Sequence, residues 1–194
     1  MASYRGRELK RGKFLTTALV KELIWWSDRL SDPLIYRQLR PRGTLINPEI
    51  YADASTNWGI GFWIQGYWAA FRLTDAWKFE GRDICWLETV AIELVVYFLE
   101  AMGFRNAHLL IHSDNQGTIG AMLKQCSPNR WINLSVCRTF ATLTSLLIEL
   151  KLIYIATADN PTDSLSRGIM GTDETRLPYS ISLPDELIEA IIRV

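Results

Sequence analysis

Cysteine is scarce in this chain: Cys85, Cys126 and Cys137 are the only three in 194 residues. An odd number at wide separation suggests neither a disulfide framework nor a cysteine-built zinc site. Histidine is scarcer still, and with only His108 and His112 present a histidine-rich metal cage is excluded. No window approaches the roughly eighteen unbroken apolar residues of a membrane span, and the most apolar run, Val90 to Met102, is interrupted by Glu93 and Glu100. The first residues, Met-Ala-Ser-Tyr-Arg-Gly-Arg, lack the apolar centre of a secretory signal. Neither an internal repeat nor a low-complexity tract is visible. The expectation is a soluble intracellular protein, cytoplasmic or nuclear.

With 48% hydrophobic and 22% charged residues, the chain can bury one substantial core, so a single main domain is expected. The formal charge of zero hides an asymmetry. Residues 1–43 carry ten Lys/Arg against four Asp/Glu, and residues 44–194 carry eleven against seventeen. A basic N-terminal arm could hold phosphate backbone near an acidic body. It could equally be a solvated segment or the remnant of a longer chain.

Residues 1–13 are polar and basic, and Leu15 to Leu30 carries a helical pattern with Trp25-Trp26 near its end. Ser31-Asp32-Pro33 and Pro41-Arg42-Gly43 break the chain before the first strand. Tyr51-Ala52-Asp53, Trp58 to Ile64 and Tyr67 to Phe71 read as strands, with Gln65-Gly66 as a tight connection, so an antiparallel meander is expected. Trp86 to Met102 reads as a helix ended by Gly103, and Ala107 to Ser113 as a buried strand. Asn115 to Leu123 reads as a short helix, and Ser127-Pro128 supplies a cap for a longer one running to about Leu150. Leu152 to Ala156 is expected as a last strand, and Pro184-Asp185-Glu186 starts a short helix ending at Val194. Meander, helix, strand, helices and strand in that order give a mixed sheet with helices on its faces.

Four acids stand at the ends of these elements: Asp53, Glu88, Asp114 and Asp163. Three of them border apolar stretches, where an uncompensated carboxylate is costly. Glu88 is the sharpest case. At 100° per residue it shares a stripe with Ala91, Ile92, Val95, Leu99 and Met102, which should face the core. Glu93 points roughly 140° away, with Glu100, and is expected in water. A helix-start acid favoured by the helix dipole would also explain Glu88. Asp114 follows the run Leu109-Leu110-Ile111 after His112 and Ser113, where a strand gives way to a helix, so it could meet the other acids at one sheet edge. Carboxylates about 4 Å apart repel by roughly 4 kcal/mol at an effective dielectric of 20. Divalent metal would relieve that repulsion, and phosphodiester cleavage is the chemistry that goes with it.

Four stretches carry a resemblance: Tyr-Ala-Asp-Ala-Ser-Thr-Asn-Trp-Gly-Ile-Gly (51–61), Trp-Leu-Glu-Thr-Val-Ala-Ile (86–92), Ile-His-Ser-Asp-Asn-Gln-Gly-Thr (111–118) and Asn-Pro-Thr-Asp-Ser-Leu-Ser-Arg-Gly (160–168). In this order they resemble the ribonuclease H domain of retroelement reverse transcriptases, over roughly residues 48–168. Residues 1–47 would then be a basic arm and helix, and 169–194 a C-terminal extension. Leu23-Ile24-Trp25-Trp26 and the stretch after it are similar to the link between polymerase and ribonuclease H in such polyproteins. Neither a polymerase Tyr-x-Asp-Asp motif nor an aspartic-protease Asp-Thr/Ser-Gly motif is present.

The resemblance implies an α/β ribonuclease H-like fold whose five-stranded mixed sheet has three antiparallel strands followed by two parallel ones, flanked by helices. It implies Asp53, Glu88, Asp114 and Asp163 as the catalytic and metal-binding set. Two Mg²⁺ ions, replaceable by Mn²⁺, would serve hydrolysis of the RNA strand of an RNA–DNA hybrid. A reverse transcriptase polymerase domain in the same polyprotein would be a partner. Ser55, Asn57, Asn115 and Gln116 are candidates for reading the 2′-hydroxyl, and Arg130 and Trp131 for meeting the DNA strand; turn formation, capping and core packing are their plainer roles. Thr162 stands where the family usually has Ala, Asp159 rivals Asp163 as the fourth acid, and no histidine lies between Asp114 and Asp163. An inactive retroelement-derived binding or structural module, and another nuclease of the same fold, are the alternatives.

Overall fold

The computed structural model describes residues 15–31 and 43–194 and divides the chain into two compact units, Met1–Pro41 and Arg42–Val194. The basic segment 1–13 lies outside the described residues. In the first unit, α1 (Thr17–Ser31) realises the expected helical pattern, and none of its residues is buried. Among the described residues, no helix is long and apolar enough to cross a membrane.

In the second unit the meander forms as expected. Strands β1 (Leu45–Ala54), β2 (Gly59–Ile64) and β3 (Tyr67–Leu73) pair antiparallel. Gln65 and Gly66 take the two positive-φ positions, 53° and 83°, of a two-residue hairpin turn. Helix α2 (Ile84–Ala101) follows, capped by the Asp83 side chain, which accepts the Trp86 N–H at 2.9 Å. Gly103 ends it at φ 84°, the left-handed position that glycine takes most readily. Strand β4 (His108–Ser113) then joins β1 in parallel, and β5 (Glu149–Tyr154) joins β4 in parallel. Helices α3 (Gln116–Lys124) and α4 (Arg130–Leu146) fill the crossover between them.

Two local readings are corrected. The cap of α4 is Asn129, whose Oδ1 accepts the N–H groups of Trp131 and Ile132, rather than Ser127. Leu147, at φ 57°, stops that helix four residues early, so β5 starts at Glu149.

The sheet has six strands, not five, in the order β5-β4-β1-β2-β3-β6. The extra one is β6 (Ile191–Arg193), which follows α5 (Asp163–Ser166) and α6 (Asp185–Ala190). The final helix was expected to reach Val194. Its last residues instead extend and pair antiparallel with Leu73, Arg72 and Phe71, covering the open edge of β3. Leu177, Leu187, Ala190 and Ile191 join the main core.

Helix α2 lies against β1 and β2, with Phe98 edge-on to Phe62 at 5.2 Å, and α4 packs on its far side. Both sides of α2 are therefore covered, which overturns the expectation that Glu93 faces water. Glu93 is fully buried. It accepts hydrogen bonds from Ser135 Oγ (2.6 Å) and Tyr97 OH (2.6 Å) and pairs with Arg138 at 2.5 Å. Arg138 also reaches Glu186 at 2.6 Å, tying α6 to the same cluster. Burial works against the Arg138 charge, but the two glutamates outweigh it and raise its pKa.

The opposite face of the sheet is covered more thinly. Alternation along β2 sends Ile60 and Phe62 into the main core and Gly61 to the other side, where Leu165 of α5 packs with Trp68 and Ala70. A Cβ on Gly61 would meet Leu165 Cβ at 2.4 Å and the Ser166 backbone nitrogen at 2.7 Å, so glycine is what lets α5 sit this close. Gly61→Ala should destabilise the protein by about 1–3 kcal/mol, measured by urea unfolding.

Candidate active site

The register of β1 and β4 builds the centre of the site. Ala52 pairs in parallel with Ser113, so the next residues, Asp53 near the end of β1 and Asp114 just past the end of β4, stand side by side at the same end of the sheet. The first turns of α2 cross above this end and deliver Glu88, whose Oε1 accepts the Ala54 N–H at 3.1 Å. One carboxylate oxygen from each of Asp53, Glu88 and Asp114 lies within 4.8 Å of the others.

The electrostatics mark these groups as under-compensated. Burial, added to the charges of Asp114 and Asp163, pushes Asp53 from 3.8 up to about 6, against the lowering hydrogen bond from Ser166 Oγ to its Oδ2. Burial, then the neighbouring Asp53 and Asp114, pushes Glu88 from 4.5 up to about 9. Its Oε2 is buried with no hydrogen-bond partner. A buried, orphaned carboxylate oxygen facing two further acids is a site short of positive charge. An all-oxygen set of this kind fits a hard divalent cation such as Mg²⁺ or Mn²⁺.

Asp163, the fourth acid, is not one of this close group. It opens α5 with its carboxylate held by Arg167, whose Nε and Nη2 donate to it at 2.9–3.0 Å. It is still near enough for its charge to raise Asp53. Asp159, the rival, is exposed in the short turn Thr157–Asp159.

Supporting residues emerge to which the motifs alone assigned no role. Thr157 Oγ1 donates to Asp114 Oδ2 at 2.6 Å. Asn160 is buried; its Nδ2 donates to the Ala52 carbonyl at 3.2 Å, and its Oδ1 accepts from the Thr162 hydroxyl at 2.7 Å. Ser166, Asn160 and Thr162 belong to the motif at 160–168, so their spacing from Asp163 was a usable signal. Thr157 had none.

Of the other candidates, Ser55 lies in the turn after β1, where its Oγ accepts the N–H of the exposed Asn57 at 3.3 Å. Asn115 caps α3 by accepting the Thr118 N–H at 3.0 Å, and Gln116 is exposed beside it. Both segments border the acid cluster. Arg130 is exposed at the start of α4, 5.3 Å from the centre of the Trp131 ring. That ring is itself engaged: its Nε1 donates to the Glu80 carbonyl at 2.8 Å, and Arg82 lies 4.3 Å from its centre.

Sheet order, helix placement and the acids at one end define a ribonuclease H-like α/β fold. No protein-family model matches the chain, and no curated protein does. Among solved structures it is similar to RNase H1 from the halophilic archaeon Halobacterium salinarum, at 14% identity and TM-score 0.48, covering 64% of this chain and 96% of that one. It is also similar to the N-terminal RNase H domain of a Mycobacterium tuberculosis protein solved as a fusion with maltose-binding protein. There the identity is 13% and the TM-score 0.45, covering 66% of this chain and 94% of that one.

The raised carboxyls have a consequence for stability. Both bind protons more tightly folded than unfolded, so their protonation favours the native state. That contribution is complete below about pH 4 and is lost through about pH 6 for Asp53 and about pH 9 for Glu88. In EDTA, stability should therefore fall across this window, and the gain in thermal midpoint on adding Mg²⁺ should grow with pH. Melting curves at several pH values, with and without Mg²⁺, check both. Glu88→Gln keeps the acceptor for Ala54 and removes the charge, so in EDTA it should raise the midpoint by about 2–4 °C for each ~1 kcal/mol gained.

Proposed function

We propose that this chain is a metal-dependent endonuclease that hydrolyses the RNA strand of RNA–DNA hybrids. The convergence of Asp53, Glu88 and Asp114, with the orphaned Glu88 oxygen among them, carries the reading. The order of the four motifs supports the substrate class.

Asp53, Glu88 and Asp114 would hold Mg²⁺ or Mn²⁺, and Asp163, on leaving Arg167, would complete the set for a second ion. When bound, the metal supplies the positive charge that activates water and stabilises the leaving oxygen in a displacement at phosphorus. The chain's own residues prepare the place. Ser166 fixes the Asp53 carboxylate, Thr157 orients Asp114, and the Ala54 N–H anchors one oxygen of Glu88 so that the other is free. Each is set before substrate arrives, so little reorganisation remains for the reaction. Ser55, Asn57, Asn115 and Gln116 would meet the RNA strand and its 2′-hydroxyls, and Arg130 the DNA strand. In this reading residues 48–168 are the catalytic body, 1–47 its basic arm and 169–194 an extension. The same motifs support a retroelement origin and a polymerase domain as partner.

The test is a labelled RNA–DNA hybrid incubated with the protein and Mg²⁺, beside duplex DNA and branched DNA. Cleavage confined to the RNA strand of the hybrid is expected, and it should stop in EDTA. Binding without product at any metal concentration would favour an inactive module, and cleavage of branched or duplex DNA another nuclease chemistry.

A further inference from the structure

A cavity of about 300 Å³ opens on the thinly covered face of the sheet, lined by Glu49, Tyr51, Trp63, Gly66, Asp159 and Pro161. Three separate pieces of chain form it. Tyr51 and Trp63 are directly opposed on β1 and β2, so their side chains lie on one face, and Tyr51 is backed by His112, stacked at 4.4 Å. Gly66 comes from the hairpin turn, and Asp159 and Pro161 flank Asn160, which is anchored to the Ala52 carbonyl.

Glu49 reaches the cavity by an irregular route. The pairing of β1 with β4 slips between Ile46 and Ile50, and Glu49 sits at φ 55°, a region non-glycine residues rarely adopt. Asn47 Oδ1 holds this bulge by accepting the Glu49 N–H at 3.0 Å. Glycine or asparagine would fit that backbone more easily than glutamate. Bulges of this kind re-aim side chains near functional sites. Among the described residues, neither Glu49 nor Asp159 has an ion-pair partner, and the lining holds no basic group.

Two aromatic walls with two unpaired carboxylates on the rim suit a flat organic cation: the rings attract it through their faces and the acids through charge. The same acids repel phosphate, which weighs against a nucleotide base stacking there. We propose that this cavity binds the guanidinium of an arginine presented by a partner polypeptide, a planar group matched to both the rings and the carboxylates. The proposal stands independently of hybrid cleavage.

The probe is an acetylated, amidated Gly-Arg-Gly peptide, titrated into the ¹⁵N-labelled protein while the Trp63 indole resonance, assigned with Trp63→Phe, is followed. A saturable shift is expected, weakened about two- to fivefold in Glu49→Gln and again in Asp159→Asn. The peptide with citrulline in place of arginine should not bind. The proposal is overturned if the resonance does not move, if citrulline or lysine peptides act equally well, if the variants bind as tightly as the parent, or if a single-stranded oligonucleotide moves it while the arginine peptide does not.

Discussion

Asp114→Asn should lower the rate of hybrid cleavage by at least about a thousandfold while leaving the fold intact. A loss of roughly 4 kcal/mol of transition-state stabilisation gives a factor of that size. The substitution is nearly isosteric and keeps an oxygen to accept the Thr157 hydroxyl, so the contact to the β5–α5 connection survives. What it removes is one of the three charges gathered at the end of β1, β4 and α2. Steady-state cleavage of the hybrid, with circular dichroism and thermal melting alongside, checks both halves. Undiminished cleavage by the folded variant would remove Asp114 from the mechanism.

Arg138→Met should give the largest loss of stability, about 3–5 kcal/mol, because it strands Glu93 as a buried charge without a counter-ion. Ser135 and Tyr97 would still donate to Glu93, but neither neutralises it. The ion pair to Glu186 disappears as well, loosening α6. Replacing Glu93 and Arg138 together with apolar residues of similar volume should recover most of the loss, since the charge and its counter-ion then leave together. Chemical unfolding of the two single variants and the double variant measures this. The cluster lies on the side of α2 that faces α4, so hybrid cleavage by the folded fraction should be unaffected.

These two glutamates of α2 also show how far periodicity reaches. The apolar stripe through Ala91, Ile92, Val95 and Leu99 correctly buried Glu88, because one side of the helix meets the sheet. The same argument failed for Glu93, because it assumed that the other side meets water. A run as apolar as Val90–Met102 is the mark of a helix covered all round. The compensating Arg138, however, lies 45 residues away on another helix, with nothing in the local pattern to pair them. The antiparallel meander and the central helix were legible from turn residues and strand spacing, whereas the two parallel strands were implied only by the family resemblance. The strand Ile191–Arg193 was not: three residues are too few to show alternation, and they extend only because β3 offers an unpaired edge.

The candidate site divides in the same way. Asp53, Glu88 and Asp114 could be named from their motifs because each lies near one end of a regular element, and β1 and β4 bring two of them together through sheet register. The orientation of Asp163 depends on Arg167, one helical turn on, a contact that spacing permits but does not require. Thr157 acts through the fold of a connecting turn and leaves no trace in the sequence.

Anomalous diffraction from crystals soaked in Mn²⁺ tests the central claim most directly. The account predicts a metal peak roughly 2–2.5 Å from oxygens of Asp53, Glu88 and Asp114, with the unpartnered oxygen of Glu88 among its ligands. Peaks confined to other surfaces, with these three side chains unliganded at saturating Mn²⁺, would contradict it.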